Sequence, residues 1–233
     1  MRHPSPHTGR FASKPAALML WASIVVALLG LAPTVGRADL IIGNLAAATA
    51  NDNVSQSINF SERYAVSFTM GSQAYSLSDA QIRLTFSPPN ATRFQLESDA
   101  GGNPSNTGLV TFTNPTFGSG QNTYTFTADS PFTLAPNTTY WLVGSTTNAA
   151  LSANWAVTLL LTNPSGSGAS FGSYADTTTS GATWFNSAST TQFQLNGTPA
   201  AVPEPSSLVF ASISACGAFG CWRRSRRKAE LTA

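Results

Sequence analysis

Apolar and polar residues alternate through most of the middle of this chain. Between residues 75 and 86, Ile82, Leu84 and Phe86 alternate with Gln81, Arg83 and Thr85, the period of a half-buried strand. Residues 93–98 repeat the pattern, with Phe94 and Leu96 on one side and Arg93, Gln95 and Glu97 on the other. Residues 123–127 set Tyr124 and Phe126 against threonines. Tyr140-Trp141-Leu142-Val143 is apolar on both faces, which predicts an interior strand of a two-layer structure. Further strands are expected over 39–45, 64–70, 154–161, 170–174, 182–185 and 191–196, with a short edge element in 131–137.

Turn chemistry falls between these segments. Asn51-Asp52-Asn53, Gly71-Ser72-Gln73, Pro88-Pro89-Asn90 and the stretches 99–107 and 163–168 carry the Gly, Pro, Asn and Ser that break regular structure. The body shows no 3.6-residue apolar period. About ten short strands with regular turn signals predict an all-β fold, an antiparallel β-sandwich of jelly-roll type.

Two uninterrupted apolar runs depart from the alternation. The first, residues 16–31, follows Arg2, Arg10 and Lys14 and precedes Pro33 and a small-residue exit, Gly36-Arg37-Ala38. It reads as a secretory signal peptide cut after Ala38, with an uncleaved signal anchor as the alternative. The second, residues 208–222, follows Val202-Pro203-Glu204-Pro205 and precedes Arg223, Arg224, Arg226, Arg227 and Lys228. Its fifteen residues would rise about 22 Å as a helix, against a bilayer core of about 30 Å. Ser212, Ser214, Gly217 and Gly220 weaken the run further. A marginal transmembrane helix suits temporary holding. The basic cluster is expected to stay cytoplasmic, with everything before the helix outside the membrane.

These ends change the meaning of the composition. The whole chain has a formal charge of +2, but nine of the twelve Lys and Arg belong to the leader and the tail. Residues 39–202 keep Arg63, Arg83 and Arg93 against eight acids, a net charge of −5. A body without lysine is a poor match for nucleic acid, which requires clustered cations. His3 and His7 lie in the leader, Cys216 and Cys221 in the tail helix. The body therefore has neither residue type. That excludes Ser–His–Asp and Cys–His nucleophiles, Cys or His metal and haem centres, and disulfides within the body. No cofactor and no metal are expected.

The C-terminal pattern resembles a PEP-CTERM sorting signal, on the residues Val202, Pro203, Glu204 and Pro205, the short hydrophobic helix and the Arg-rich end. The resemblance covers residues 201–228. It implies export from a Gram-negative bacterium, transient anchoring in the inner membrane, and recognition of the Pro-Glu-Pro by an exosortase. Removal of the tail and delivery to the outer surface or the extracellular matrix would follow. An ordinary C-terminal membrane anchor is the alternative. The body in turn resembles the choice-of-anchor R domain over residues 44–196. That likeness rests on Val66-Ser67-Phe68-Thr69 with Gly71, the Tyr75–Leu84 motifs, and Leu134 through Val143. It implies an extracellular β-sandwich without assigned activity or catalytic residues.

The expected organisation is a signal peptide (1–38), the sandwich (39–197), a linker with the Pro-Glu-Pro (198–207), a transmembrane helix (208–222) and a basic cytoplasmic tail (223–233). The leading reading is a non-enzymatic, exported surface or matrix protein. A lectin-like module that binds exopolysaccharide is the second, with Trp184 as the exposed aromatic face for a sugar and Trp141 and Trp155 as core. Calcium at Glu97 and Asp99 or at Asp52 competes with ordinary solvated turns. A glycoside hydrolase would need two close carboxylates, such as Glu62 and Asp79.

Overall fold

A computed structural model describes residues 38–45, 54–86, 91–158 and 162–200. The expected signal peptide up to residue 37, the turns at 51–53 and 88–90, and everything from Ala201 onward lie outside the described residues, including the Pro-Glu-Pro, the tail helix and the basic cluster. Among the described residues, no helix is long and apolar enough to cross a membrane.

The strands are β1 (Asp39–Gly43), β2 (Ser55–Ile58), β3 (Arg63–Met70), β4 (Tyr75–Phe86), β5 (Thr92–Asp99), β6 (Pro104–Thr113), β7 (Gly120–Ala128), β8 (Thr133–Leu134), β9 (Thr139–Thr146), β10 (Ala153–Ala156), β11 (Ala169–Thr177), β12 (Phe185–Asn186) and β13 (Phe193–Pro199). The fold is all-β and antiparallel, as the alternation predicts. One sheet runs β1-β13-β4-β7. The other runs β5-β9-β3-β11-β12. β6 joins them. It pairs with β5 at Gln95↔Thr111 and with β7 from Phe112↔Ala128, so a single strand changes sheet between Thr111 and Phe112.

The two sheets bury their facing apolar residues against each other. Ile82 and Leu84 of β4 are fully buried, while Gln81, Arg83 and Thr85 are only partly covered. Phe94 of β5 meets Phe126 of β7 and Trp155 of β10 edge-on, both with ring centroids 5.0 Å apart. Such geometry favours aromatic pairs beyond simple area burial. The Trp155 indole N–H also reaches the Gln192 carbonyl at 2.9 Å, which satisfies its one donor inside the core. Gly144 of β9 passes directly beneath this cluster. A Cβ there would stand 2.7 Å from Phe94 and 2.8 Å from Trp155.

β9 is flanked by β5 and β3 and is buried on both faces, the interior position its sequence predicts. The ends of the fold are adjacent. β1 pairs with β13 from Asp39↔Gly197 to Gly43↔Gln194. Buried Asn44 pins the exit of β1. Its amide donates to the Thr191 carbonyl, and its oxygen accepts the Phe193 N–H, both at 3.0 Å.

Several expectations need correction. The loop expected over 99–107 is shorter, because β6 begins at Pro104. That strand has mostly exposed side chains in its first half, so burial imposes no apolar alternation there. The segment 182–185 is mainly turn, with only Phe185 and Asn186 paired to β11. Thr198 and Pro199, expected in the linker, are the end of β13 and pair with Ser76 and Tyr75. The Ala200 N–H then donates to the Ala74 carbonyl at 2.8 Å.

Candidate functional site

Strand alternation puts Arg93, Gln95 and Glu97 of β5 on the outer face of the second sheet, with Trp141, Val143 and Ser145 of β9 and Arg63, Ala65 and Ser67 of β3. The register aligns them in rows: Glu97–Trp141–Ser67, then Gln95–Val143–Ala65–Ala175, then Arg93–Ser145. Arg63 begins β3 on the far flank of β9, next to the pair Tyr64↔Gly144. It therefore continues the Arg93–Ser145 row.

Two segments cover the first two rows. The opening of β6 folds across β5, and the turn after β11 folds back over β3 and β9. Ala65, Trp141, Val143 and Ala175 form a second small core under this cover, with Trp184 packed on it. The cover explains why Gln95 and Glu97, expected to face solvent, are buried instead. Glu97 is 0% exposed. One carboxylate oxygen accepts the Asn106 backbone N–H at 2.6 Å, and the other accepts the Gln95 amide. Charge-assisted bonds of this kind offset the cost of burying a carboxylate. The Asn106 side chain then donates to the Gly181 carbonyl at 2.6 Å, tying the two covering segments together. Asn106 holds φ at 60° and Gly181 at 92°, left-handed conformations that Asn and Gly tolerate best.

This arrangement leaves Trp184 less exposed than the sequence suggests. The indole is half-buried against the second core, and its N–H is buried with no hydrogen-bond partner among the described residues. The exposed aromatic is its neighbour Phe185, at 57% exposure. Trp155 lies in the main core as expected, and Trp141 in the small outer one.

The described acids singled out in the sequence, Glu62, Asp79, Glu97 and Asp99, are committed to neighbours. Asp99 accepts the Trp141 indole N–H at 2.8 Å and the Gly102 N–H at 3.1 Å, closing the turn between β5 and β6. Glu62 accepts from the Asn59 amide and the Tyr64 hydroxyl. Asp79 accepts from Asn196 at 2.7 Å. Glu62 leads into β3 and Asp79 sits within β4, so they belong to different sheets and share no partner. Among the described residues, no three of His, Cys, Asp and Glu gather as metal ligands would. Two tyrosines are perturbed. Burial, then the charges of Glu62 and Asp176, push the Tyr64 hydroxyl up to about 12, and burial alone raises Tyr174.

Two of the open clefts lie among the described residues. One, of about 450 Å³, is lined by Thr92, Arg93, Thr111, Phe112, Asn114 and Thr147. It lies where β6 leaves β5 for β7, so the change of sheet opens it. The Asn114 amide donates to the Thr92 carbonyl across the gap at 2.7 Å. The Thr92 hydroxyl is buried without a hydrogen-bond partner among the described residues. The other, of similar volume, is lined by Phe171, Tyr174, Asn163 and Asn186 among others. Its two rings lie 4.9 Å apart, and the Tyr174 hydroxyl is likewise buried and unpartnered.

Of the residues singled out in the sequence for processing, only Ala38 is described. It is exposed and stands immediately before β1. The Arg93–Ser145–Arg63 row escaped the sequence reading. The scarcity of arginine in the body was visible, but the strand order that aligns two of the three was not. No family model matches the chain, and no curated protein matches it.

Proposed function

We propose that this chain is an exported, non-enzymatic surface or matrix protein whose C-terminal Pro-Glu-Pro, helix and basic cluster direct exosortase processing. In this reading the signal peptide takes the chain through the inner membrane, and removal follows at Ala38. The helix over 208–222 holds it there. Val202, Pro203, Glu204 and Pro205 are read by the exosortase, while Arg223, Arg224, Arg226, Arg227 and Lys228 fix the topology. The mature domain passes to the outer surface or the exopolysaccharide matrix.

The observation that carries the reading is the position of the fold's two ends. β1 starts one residue after Ala38, and β13 is paired as far as Pro199, three residues before Val202. Both proposed cuts would fall just outside paired backbone, so neither would cost the core a hydrogen bond. We read the sandwich as jelly-roll-like, since β3, β4 and β5 alternate between the two sheets.

The test replaces Pro203-Glu204-Pro205 with alanines in the native host. Processing predicts that the variant keeps the tail mass and stays in the membrane fraction. An unchanged mature mass with normal surface delivery rules the reading out.

A further inference from the structure

Beyond its delivery, the domain carries a surface suited to a ligand. We propose that the Arg93–Ser145–Arg63 row and the adjoining cleft at Thr92 bind a carboxylate-bearing saccharide.

The body has three basic side chains, and two of them share this row on one face. Across three antiparallel strands their backbones stand about 10 Å apart. Arg93 is exposed and makes no ion pair or side-chain hydrogen bond among the described residues. Arg63 is partly engaged. Its Nε donates to the Phe60 carbonyl at 3.3 Å, and its guanidinium lies 5.9 Å from the Phe60 ring. Burial holds the Arg63 pKa below its usual value, and the positive charge of Arg93 pushes the same way, while Glu97 opposes them. Glu97 attracts Arg63 through its charge, but its oxygens accept from the Gln95 amide and the Asn106 N–H, and no ion pair joins it to either arginine among the described residues. Neither guanidinium is paired with a carboxylate among the described residues, so each can take one from a ligand.

The cleft identifies the rest of the ligand. Arg93 forms part of its wall. Thr92 is 3% exposed and its hydroxyl is sealed from solvent, so it shapes the floor of the cleft and its neighbours supply the polar groups a ligand can reach. Thr111, Thr147 and Asn114 add hydroxyl and amide groups to the same wall. Hydroxyls and an amide complement the hydroxyls of a sugar. A guanidinium complements a planar carboxylate through two parallel N–H bonds. The combination fits a uronic-acid type of saccharide better than a neutral one. Nucleic acid is disfavoured, because two cations on a net-negative domain neutralise too few phosphates.

The test uses the full chain in detergent, titrated with an oligogalacturonate, with its methyl-esterified form and with sulfate. Binding of the oligogalacturonate, at least tenfold weaker in Arg93→Ala and severalfold weaker in Thr111→Val, is the expected result. The ester is expected to bind at least tenfold more weakly. Arg93 is exposed, so Arg93→Ala should keep the parent urea midpoint, and that measurement separates lost contact from lost fold. Equal binding of the ester, full competition by equimolar sulfate, unchanged affinity in Arg93→Ala, or absence of binding would each overturn the proposal. Tail processing is not involved, so either idea can fail without the other.

Discussion

Glu97 accepts the backbone N–H of Asn106 at 2.6 Å, and this bond joins a fully buried carboxylate to the segment that buries it. Asn106 passes the connection on to Gly181. Removing the carboxylate in Glu97→Ala leaves the Asn106 N–H and the Gln95 amide without their acceptor. A loss of about 1–3 kcal/mol is expected, seen as a lower urea midpoint. Glu97→Gln, which keeps an acceptor, should lose less.

Gly181 is the other half of this closure. Its φ of 92° and a would-be Cβ 2.0 Å from the Asn106 side-chain oxygen leave no room for a methyl group. Gly101 also has a positive φ, 69°, but open space around it. Gly181→Ala should therefore destabilise clearly more than Gly101→Ala. The second should cost about 1 kcal/mol from backbone conformation alone. Parallel urea melts of the two variants check the order, and equal losses would contradict the contact.

Gly144 tests the main core in the same way. An added methyl would press on Phe94 and Trp155, both fully buried. Overpacking of this kind costs about 1–3 kcal/mol. Gly144→Ala should lower the thermal midpoint, and a smaller residue in place of Phe94 should partly restore it in the double variant.

Alkaline stability has a defined sign. The Tyr64 hydroxyl is raised to about 12 in the folded chain, against about 10 unfolded. Between these values the folded state holds a proton that the unfolded state has released. Stability should be level below about pH 10 and fall as pH rises toward about 12. Tyr174 is raised as well and adds to the fall. Urea midpoints measured across this range should decline less steeply in Tyr64→Phe.

The paired ends of the sandwich predict that residues 38–200 fold alone. The main core and the β1–β13 pairing lie within that span. A trimmed chain should unfold cooperatively, whereas trimming from Gly43 backwards, which strips β1 from β13, should lower the midpoint.

The sequence disclosed those parts of the fold whose burial follows from neighbours along the strand. β4 was legible to the residue, because Ile82 and Leu84 face the core and Arg83 does not. β9 was legible because Trp141 and Val143 add a second apolar face to Tyr140 and Leu142. β6 was not, since Ser105 through Leu109 are largely exposed and supply no alternation. Glu97 and Gln95 look like solvent-facing residues of an alternating strand. They are buried by residues nine and more positions away, Asn106 and the Gly181–Trp184 turn, which no local pattern announces. The arginine row was hidden for the same reason. Positions 63 and 93 fall in one row only once β9, about fifty residues after Arg93 and about eighty after Arg63, lies down between them.

The antiparallel pairing of β1 with β13 also has a mechanical side. The chain enters at Asp39 opposite Gly197 and leaves just beyond Pro199, so both ends depart from the same end of one ribbon. Tension between them would peel the ribbon open one bond at a time, at low force. A pull on the C-terminal end alone, as from a tether, loads β13, which is held on one flank by β1 and on the other by β4. The domain is thus weak against stretching between its ends and braced against a pull on β13 alone.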